Sequence, residues 1–223
     1  MTRFVASIRN PPSLWLAVVL AAGSLTCGRD TPAVDVVMPP AGVRLVAGDA
    51  QQGVVGQPLP DSLVMAVVDA DGLPVAGIPV QFRFVTDDPA AVIAPDKSLT
   101  DSKGRAAAQV VLGGVAGTWV VEARVAGPAG LVFVARVTES ASPAAPDPVW
   151  AAAGQDQGGR VGTILGDSLA VLVRDAFGNV TPGVEVAWNG TGGGTVSATV
   201  VTTSADGRAA VQRRLGSSAG DQT

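Results

Sequence analysis

The chain writes one block twice. Gly56-Gln57-Pro58-Leu59-Pro60-Asp61-Ser62-Leu63, followed by Val67, Asp69, Ala70, Gly72, Gly77 and Val80, returns as Gly162-Thr163-Ile164-Leu165-Gly166-Asp167-Ser168-Leu169, followed by Val173, Asp175, Ala176, Gly178, Gly183 and Val186. Every pair is 106 residues apart, so nothing has been inserted within the block. Self-similarity at a fixed period implies two small units of one fold in tandem rather than one large core. Composition narrows the fold of each unit. The 223 residues include 28 glycines and 16 prolines within a 47% apolar total, the balance of short strands joined by tight turns. With only 5 Phe, 4 Trp and no Tyr, each core must be thin and built from small β-branched side chains.

Period-2 alternation locates the strands. After a first strand at Val43–Ala47 and a loop from Gly48 to Gly56, Leu63, Met65 and Val67 share one face. Asp69-Ala70-Asp71-Gly72 is a turn, in which a carboxylate caps backbone amides and glycine takes a left-handed conformation. Val80, Phe82 and Phe84 form the next inward row, with Gln81 and Arg83 towards water. A loop from Asp87 to Gly104 leads to Ala106, Ala108 and Val110, then to Trp119, Val121, Ala123 and Val125, and finally to Leu131, Phe133, Ala135 and Val137. Such a series of short strands predicts an antiparallel β-sandwich. In the second copy Leu169, Val171 and Val173 repeat the inward row, Trp188 takes the place of Phe82, and Arg213 falls where Val110 stands. Gly220 corresponds to Gly117, so the last two strands of the first copy have no counterpart before Thr223. The expectation is a second sandwich lacking these strands, with an open edge for further chain or a strand-donating partner.

The ordered run D-S-L-V-x-x-V-x-D-A-x-G-x-P-V-A-G-x-P-V-x-F from Asp61, then D-x-x-G-R-A from Asp101 and A-G-T-W from Ala116, resembles a bacterial immunoglobulin-like domain of the invasin/intimin type. The resemblance covers 43–140 as a whole repeat and 149–223 as a partial one. It implies an all-β fold of tandem immunoglobulin-like antiparallel β-sandwiches, and non-catalytic spacer or adhesive modules of bacterial surface proteins.

Arg3 and Arg9 precede an apolar run, Leu14–Leu25, too short to span a bilayer comfortably, which reads as a secretory signal over residues 1–26. Ser24-Leu25-Thr26-Cys27-Gly28 resembles a bacterial lipoprotein signal, and this resemblance makes Cys27, the only cysteine, the candidate lipidation site. Acyl chains there would tether the protein to the membrane without a spanning helix. Thr26 and Ser24 depart from that pattern, and an ordinary signal peptide or an uncleaved anchor are the alternatives. Residues 27–42, with Pro32, Pro39 and Pro40, read as an extended spacer, and 141–148 as a proline-rich linker between the two units. The expected location is the bacterial cell envelope.

The absence of histidine removes Ser-His-Asp and Cys-His chemistry, and with one cysteine it removes His/Cys zinc sites and any internal disulfide. A net charge of −4 speaks against nucleic acid as a partner. Four stretches invite a sharper reading, and each has a plainer one. Asp87 and Asp88 with Asp96 offer oxygen ligands for calcium but lack EF-hand spacing. As neighbours in a loop they also make a poor acid–base pair. Gly190–Gly194 is glycine-rich, yet no lysine follows and no helix opens after it, so a strand-to-strand loop fits better than a phosphate cradle. Trp150 reads as a core or junction ring before a sugar-stacking one. No catalytic, cofactor-binding or metal residue is assigned. The reading is a stalk or spacer; the alternatives are an adhesin fragment with an unidentified protein or glycan ligand, and accessory domains of a carbohydrate-active enzyme.

Overall fold

The computed structural model describes residues 38–223. The first sandwich comprises β1 (Gly42–Ala47), β2 (Gln52–Val54), β3 (Leu63–Val68), β4 (Pro79–Phe84), β5 (Val92–Ala94), β6 (Lys97–Leu99), β7 (Arg105–Val111), β8 (Gly117–Ala126) and β9 (Val132–Ser142). One sheet has the order β1-β3-β7-β5 and the other β2-β9-β8-β4-β6. Pairing is antiparallel throughout, except that β2 runs parallel to β9.

The alternation read from the sequence becomes the core. Leu63, Met65 and Val67 from one sheet meet Val80, Phe82, Val121, Ala123 and Val125 from the other, all buried. Phe84 and Trp119 pack edge to face, with ring centroids 5.4 Å apart, at one end of this core. Small side chains suffice because two sheets interdigitate over a thickness of only about 10 Å. Gly104 is held at φ 68°, and a Cβ there would stand 2.8 Å from the Val67 carbonyl oxygen, so the turn can close against β3 only with glycine.

The second sandwich comprises β10 (Pro146–Ala153), β11 (Leu169–Asp175), β12 (Glu185–Ala187), β13 (Thr195–Val196), β14 (Val200–Thr202), β15 (Arg208–Val211) and β16 (Arg213–Arg214). Its sheets are β10-β11-β15, β12-β14 and β13-β16. The repeat reaches the polar interior. Gln51 ties Gly48 and Asp61 together as Gln157 ties Gly154 and Asp167. Likewise Thr100 bridges Ile78 and Val75 as Thr203 bridges Val184 and Thr181. No described strand corresponds to β8 or β9, so β12 pairs only with β14, whereas β4 is paired on both sides. The consequence is visible in burial: Val173 is enclosed, while Leu169, Val171 and Trp188 are only half-buried.

Several local expectations are corrected. The loop at 48–56 contains β2, and the loop at 87–104 contains β5 and β6. Leu131, expected to point inward, is exposed, because it belongs to the tight turn that precedes β9. Trp150 is 61% exposed on β10 rather than a core ring. Arg213 does take the inward position, and β15 breaks before it at Gln212. Its guanidinium donates to the Thr191 carbonyl at 2.8 Å, which gives a buried charge one good acceptor.

Candidate functional site

Only Pro143, Ala144 and Ala145 separate β9 from β10, and the turn after β11 closes over them. Asp175 organises that turn. Its Oδ1 accepts from the backbone N–H groups of Phe177 (3.0 Å) and Asn179 (2.8 Å). Its Oδ2 accepts from the Ala144 N–H and from Asn179 Nδ2, both at 2.9 Å. Burial works against ionisation of this carboxyl, but the donors from Asn179, Ala144 and Phe177 outweigh it and hold the carboxyl below its usual range. The turn therefore grips the connecting segment with a charge-assisted network.

Asn179 carries the grip across to the first sandwich. Its Nδ2 donates to the Gly114 carbonyl at 2.8 Å, and its Oδ1 accepts from the Ala116 N–H at 2.9 Å. One amide thus satisfies both a donor and an acceptor in the loop before β8. The Phe177 ring lies over Gly56 and Gly114; a Cβ on either would stand 2.7 Å or 3.0 Å from ring carbons. Glycine at both positions makes the flat seat that the ring needs.

The equivalent turn of the first copy keeps the local cap and lacks the joint. Asp69 accepts from the N–H groups of Asp71 (3.0 Å) and Leu73 (2.9 Å), as Asp175 does in its own turn. Asp71 and Leu73 stand where Phe177 and Asn179 stand. Sequence reasoning identified both turns and missed the joint, although the departure from the repeat at those two positions was its signal.

Two sandwiches in tandem, joined in this way, have parallels among known structures. The adhesin FdeC of Escherichia coli aligns over 78% of this chain and 54% of its own, at 22% identity and a TM-score of 0.52. The fold is that of the invasin/intimin-type immunoglobulin-like domains. The immunoglobulin-like D0–D1 domain of intimin aligns over 83% of this chain and 89% of its own, at 18% identity and a TM-score of 0.35. Invasin, a bacterial integrin-binding protein, aligns over 81% and 34%, at 18% identity and a TM-score of 0.36. No protein-family model and no curated protein sequence matches the chain. This chain spans about half the length of the FdeC structure, which the 54% coverage records.

The other candidates separate within the immunoglobulin-like framework. Cys27, with the signal and most of the spacer, lies outside the described residues. Asp88 is engaged in loop closure, accepting from Ala90 (2.8 Å) and Gly114 (3.0 Å) N–H groups, while Asp87 is exposed beside it. No cluster of three or more His, Cys, Asp or Glu with metal-holding geometry occurs among the described residues. Gly192 and Gly193 take positive φ in a strand-to-strand turn, and Thr191 bonds to Thr223 rather than framing an anion cradle.

Two buried carboxylates went unnoticed in the sequence. Glu122 on β8 receives both Arg83 (3.0 and 2.6 Å) and Arg136 (3.0 and 2.9 Å) in two-point contacts on the outer face of the sheet. These guanidinium groups, Arg83 foremost, hold its carboxyl below the usual range. Glu139 on β9 accepts from the Gln51 N–H at 2.6 Å through Oε2, and its Oε1 has no partner. Burial, opposed by that hydrogen bond and aided by the charge of Asp49, pushes the Glu139 carboxyl up to about 7.

Proposed function

We propose that this chain is a non-catalytic stalk of a bacterial envelope protein, in which immunoglobulin-like sandwiches hold a fixed angle and carry a binding element away from the membrane. The observation that carries this reading is the joint. Asn179, Phe177 and Asp175 together immobilise the second sandwich on the first with side chains that the first copy of the same turn does not have. A flexible tether would need none of these contacts. The fold shared with bacterial adhesin domains and the export signal at residues 1–26 are consistent with a surface location. Cys27 is the proposed acylation site.

The second sandwich offers a place for an added strand. The edge of β12 that faces away from β14 corresponds to the edge of β4 occupied by β8. Further chain or a strand-donating partner would pair there, and Val186 and Trp188 are half-buried in readiness for cover.

The joint is tested by small-angle scattering on the full chain and on Phe177→Ser with Asn179→Ala. The double variant should give a broader, longer distance distribution while the far-ultraviolet spectrum stays unchanged. An unchanged distribution would mean that the contacts do not set the angle and that the rigid-stalk reading is wrong. The intact mass of protein purified from its own envelope reports separately on acylation at Cys27.

A further inference from the structure

Three leucines are exposed among the described residues: Leu73 (60%), Leu99 (66%) and Leu131 (58%). Every other described leucine is buried or half-buried. Topology gathers these three at one pole of the first sandwich. Leu73 lies in the turn that follows β3, and Leu99 pairs with Pro79 at the start of β4. Leu131 closes the turn between β8 and β9, its carbonyl accepting from Gly127. The chain enters the sandwich at the same pole, because Gly42 pairs with Val68 at the end of β3. Exposed large aliphatic side chains gathered at one end of a small domain mark a contact surface.

Cations frame this pole on both sheets. Lys97 and Arg124, with Pro79 and Val132, line one shallow depression one row in from the tip. Lys103, in the turn before β7, lines another on the opposite sheet, with Arg44 and Arg105. The two acidic residues that lead these turns are engaged internally: Asp69 caps Asp71 and Leu73, and Asp101 caps Lys103 and Arg105. Aliphatic tips with a cationic rim suit the boundary between anionic headgroups and acyl chains, where leucines insert and lysines and arginines meet phosphate.

The second copy argues that the pole has its own partner. There the corresponding turn docks on a sandwich through Phe177 and Asn179, whereas here Asp71 and Leu73 replace them, so the glycine seat used at the joint does not fit this pole. Sequence ahead of the pole supplies the other link. An apolar run ends at Leu25, and the 16 residues between it and Gly42 include Pro32, Pro39 and Pro40. At about 3.1 Å per extended residue, a spacer of that length allows the pole to reach the bilayer or to stand off from it.

We infer that the N-terminal pole of the first sandwich is a landing surface for an anionic lipid bilayer, with Leu73, Leu99 and Leu131 inserted between headgroups ringed by Lys97, Lys103 and Arg124. The stalk then rises from a fixed base instead of swinging on its spacer. The inference concerns the described pole and stands whether or not Cys27 is acylated.

The test uses the full chain with Cys27→Ser, so that lipidation plays no part, and a single new cysteine carrying an environment-sensitive fluorophore. One version labels Leu131→Cys and a control labels Val161→Cys on the second sandwich, also exposed. On phosphatidylglycerol–phosphatidylethanolamine vesicles, emission from position 131 should shift to the blue and be lost to a nitroxide placed just below the headgroups. Position 161 should stay water-like. Adding Lys97→Glu and Lys103→Glu should abolish the shift at 131, as should phosphatidylcholine vesicles. A water-like signal at 131 on vesicles that hold the chain would overturn the inference and leave the pole to a protein partner. Failure of the chain to bind these vesicles would overturn it as well.

Discussion

Replacing Glu139 by glutamine should remove a pH dependence that this one side chain imposes on the first sandwich. Glu139 is 1% exposed on β9, opposite Trp119, with one oxygen bonded to the Gln51 N–H and the other without a partner. Asp49 is the charged neighbour that acts on it, and it disfavours ionisation further. With the carboxyl at about 7 in the folded protein and an ordinary value of 4.5, the native state keeps a proton that the unfolded chain releases across that window. The associated stability is complete below 4.5, declines as pH rises, and is gone once pH has passed through about 7. The linkage corresponds to about 3 kcal/mol over the full window. Asp101, Glu122, Asp175 and Asp206 are shifted the other way, so the stability they supply is lost only as pH falls below the ordinary carboxylate range. The two effects therefore occupy different windows. Urea unfolding of the full chain, following the transition of the first sandwich, should show wild type losing about 2–3 kcal/mol between about pH 5 and about pH 8. Glu139→Gln should be flat across the same range and more stable than wild type at the alkaline end. Equal wild-type stability at both pH values, or an undiminished slope in the variant, would refute the reasoning.

Two further outcomes follow from packing. Phe82→Ala, at a fully buried position facing both sheets, should destabilise the first sandwich by about 3–5 kcal/mol, read as a lowered urea midpoint with the transition of the second sandwich unmoved. Gly104→Ala should cost more than about 1 kcal/mol, because the residue needs φ 68° and its new Cβ would press on the Val67 carbonyl and Pro74; a thermal midpoint equal to that of wild type would count against it.

Much of this molecule was legible in the sequence, and the legible part has a common cause. The repeat and the alternation of Leu63, Met65 and Val67, or of Val121, Ala123 and Val125, are local properties of a pleated chain, in which every second side chain shares a face. Turns such as Asp69–Gly72 and Asp175–Gly178 are equally local, since a short carboxylate caps amides two and four residues on. The sandwich follows from these signals, and so does the expectation that the second copy has no described counterparts of β8 and β9.

What alternation leaves open is which face is covered, and by what. Leu131 continues an inward row by its spacing, yet it sits in a turn beyond the reach of the opposing sheet, so it faces water. Glu139 continues a polar row, yet β2, more than eighty residues earlier in the chain, pairs alongside and seals it in. The three-residue strands β2, β5 and β6 carry too few side chains for a period to show, and their pairing is decided by distant neighbours. Asn179 and Phe177 look like ordinary turn residues until Gly56, Gly114 and Ala116 are brought beneath them. Sequence by itself determined the fold of each repeat, because that depends on the local period of the chain. Tertiary structure alone decided the joint, the buried carboxylate and the leucine-tipped pole, because each depends on what residues far apart in sequence bring near or fail to cover.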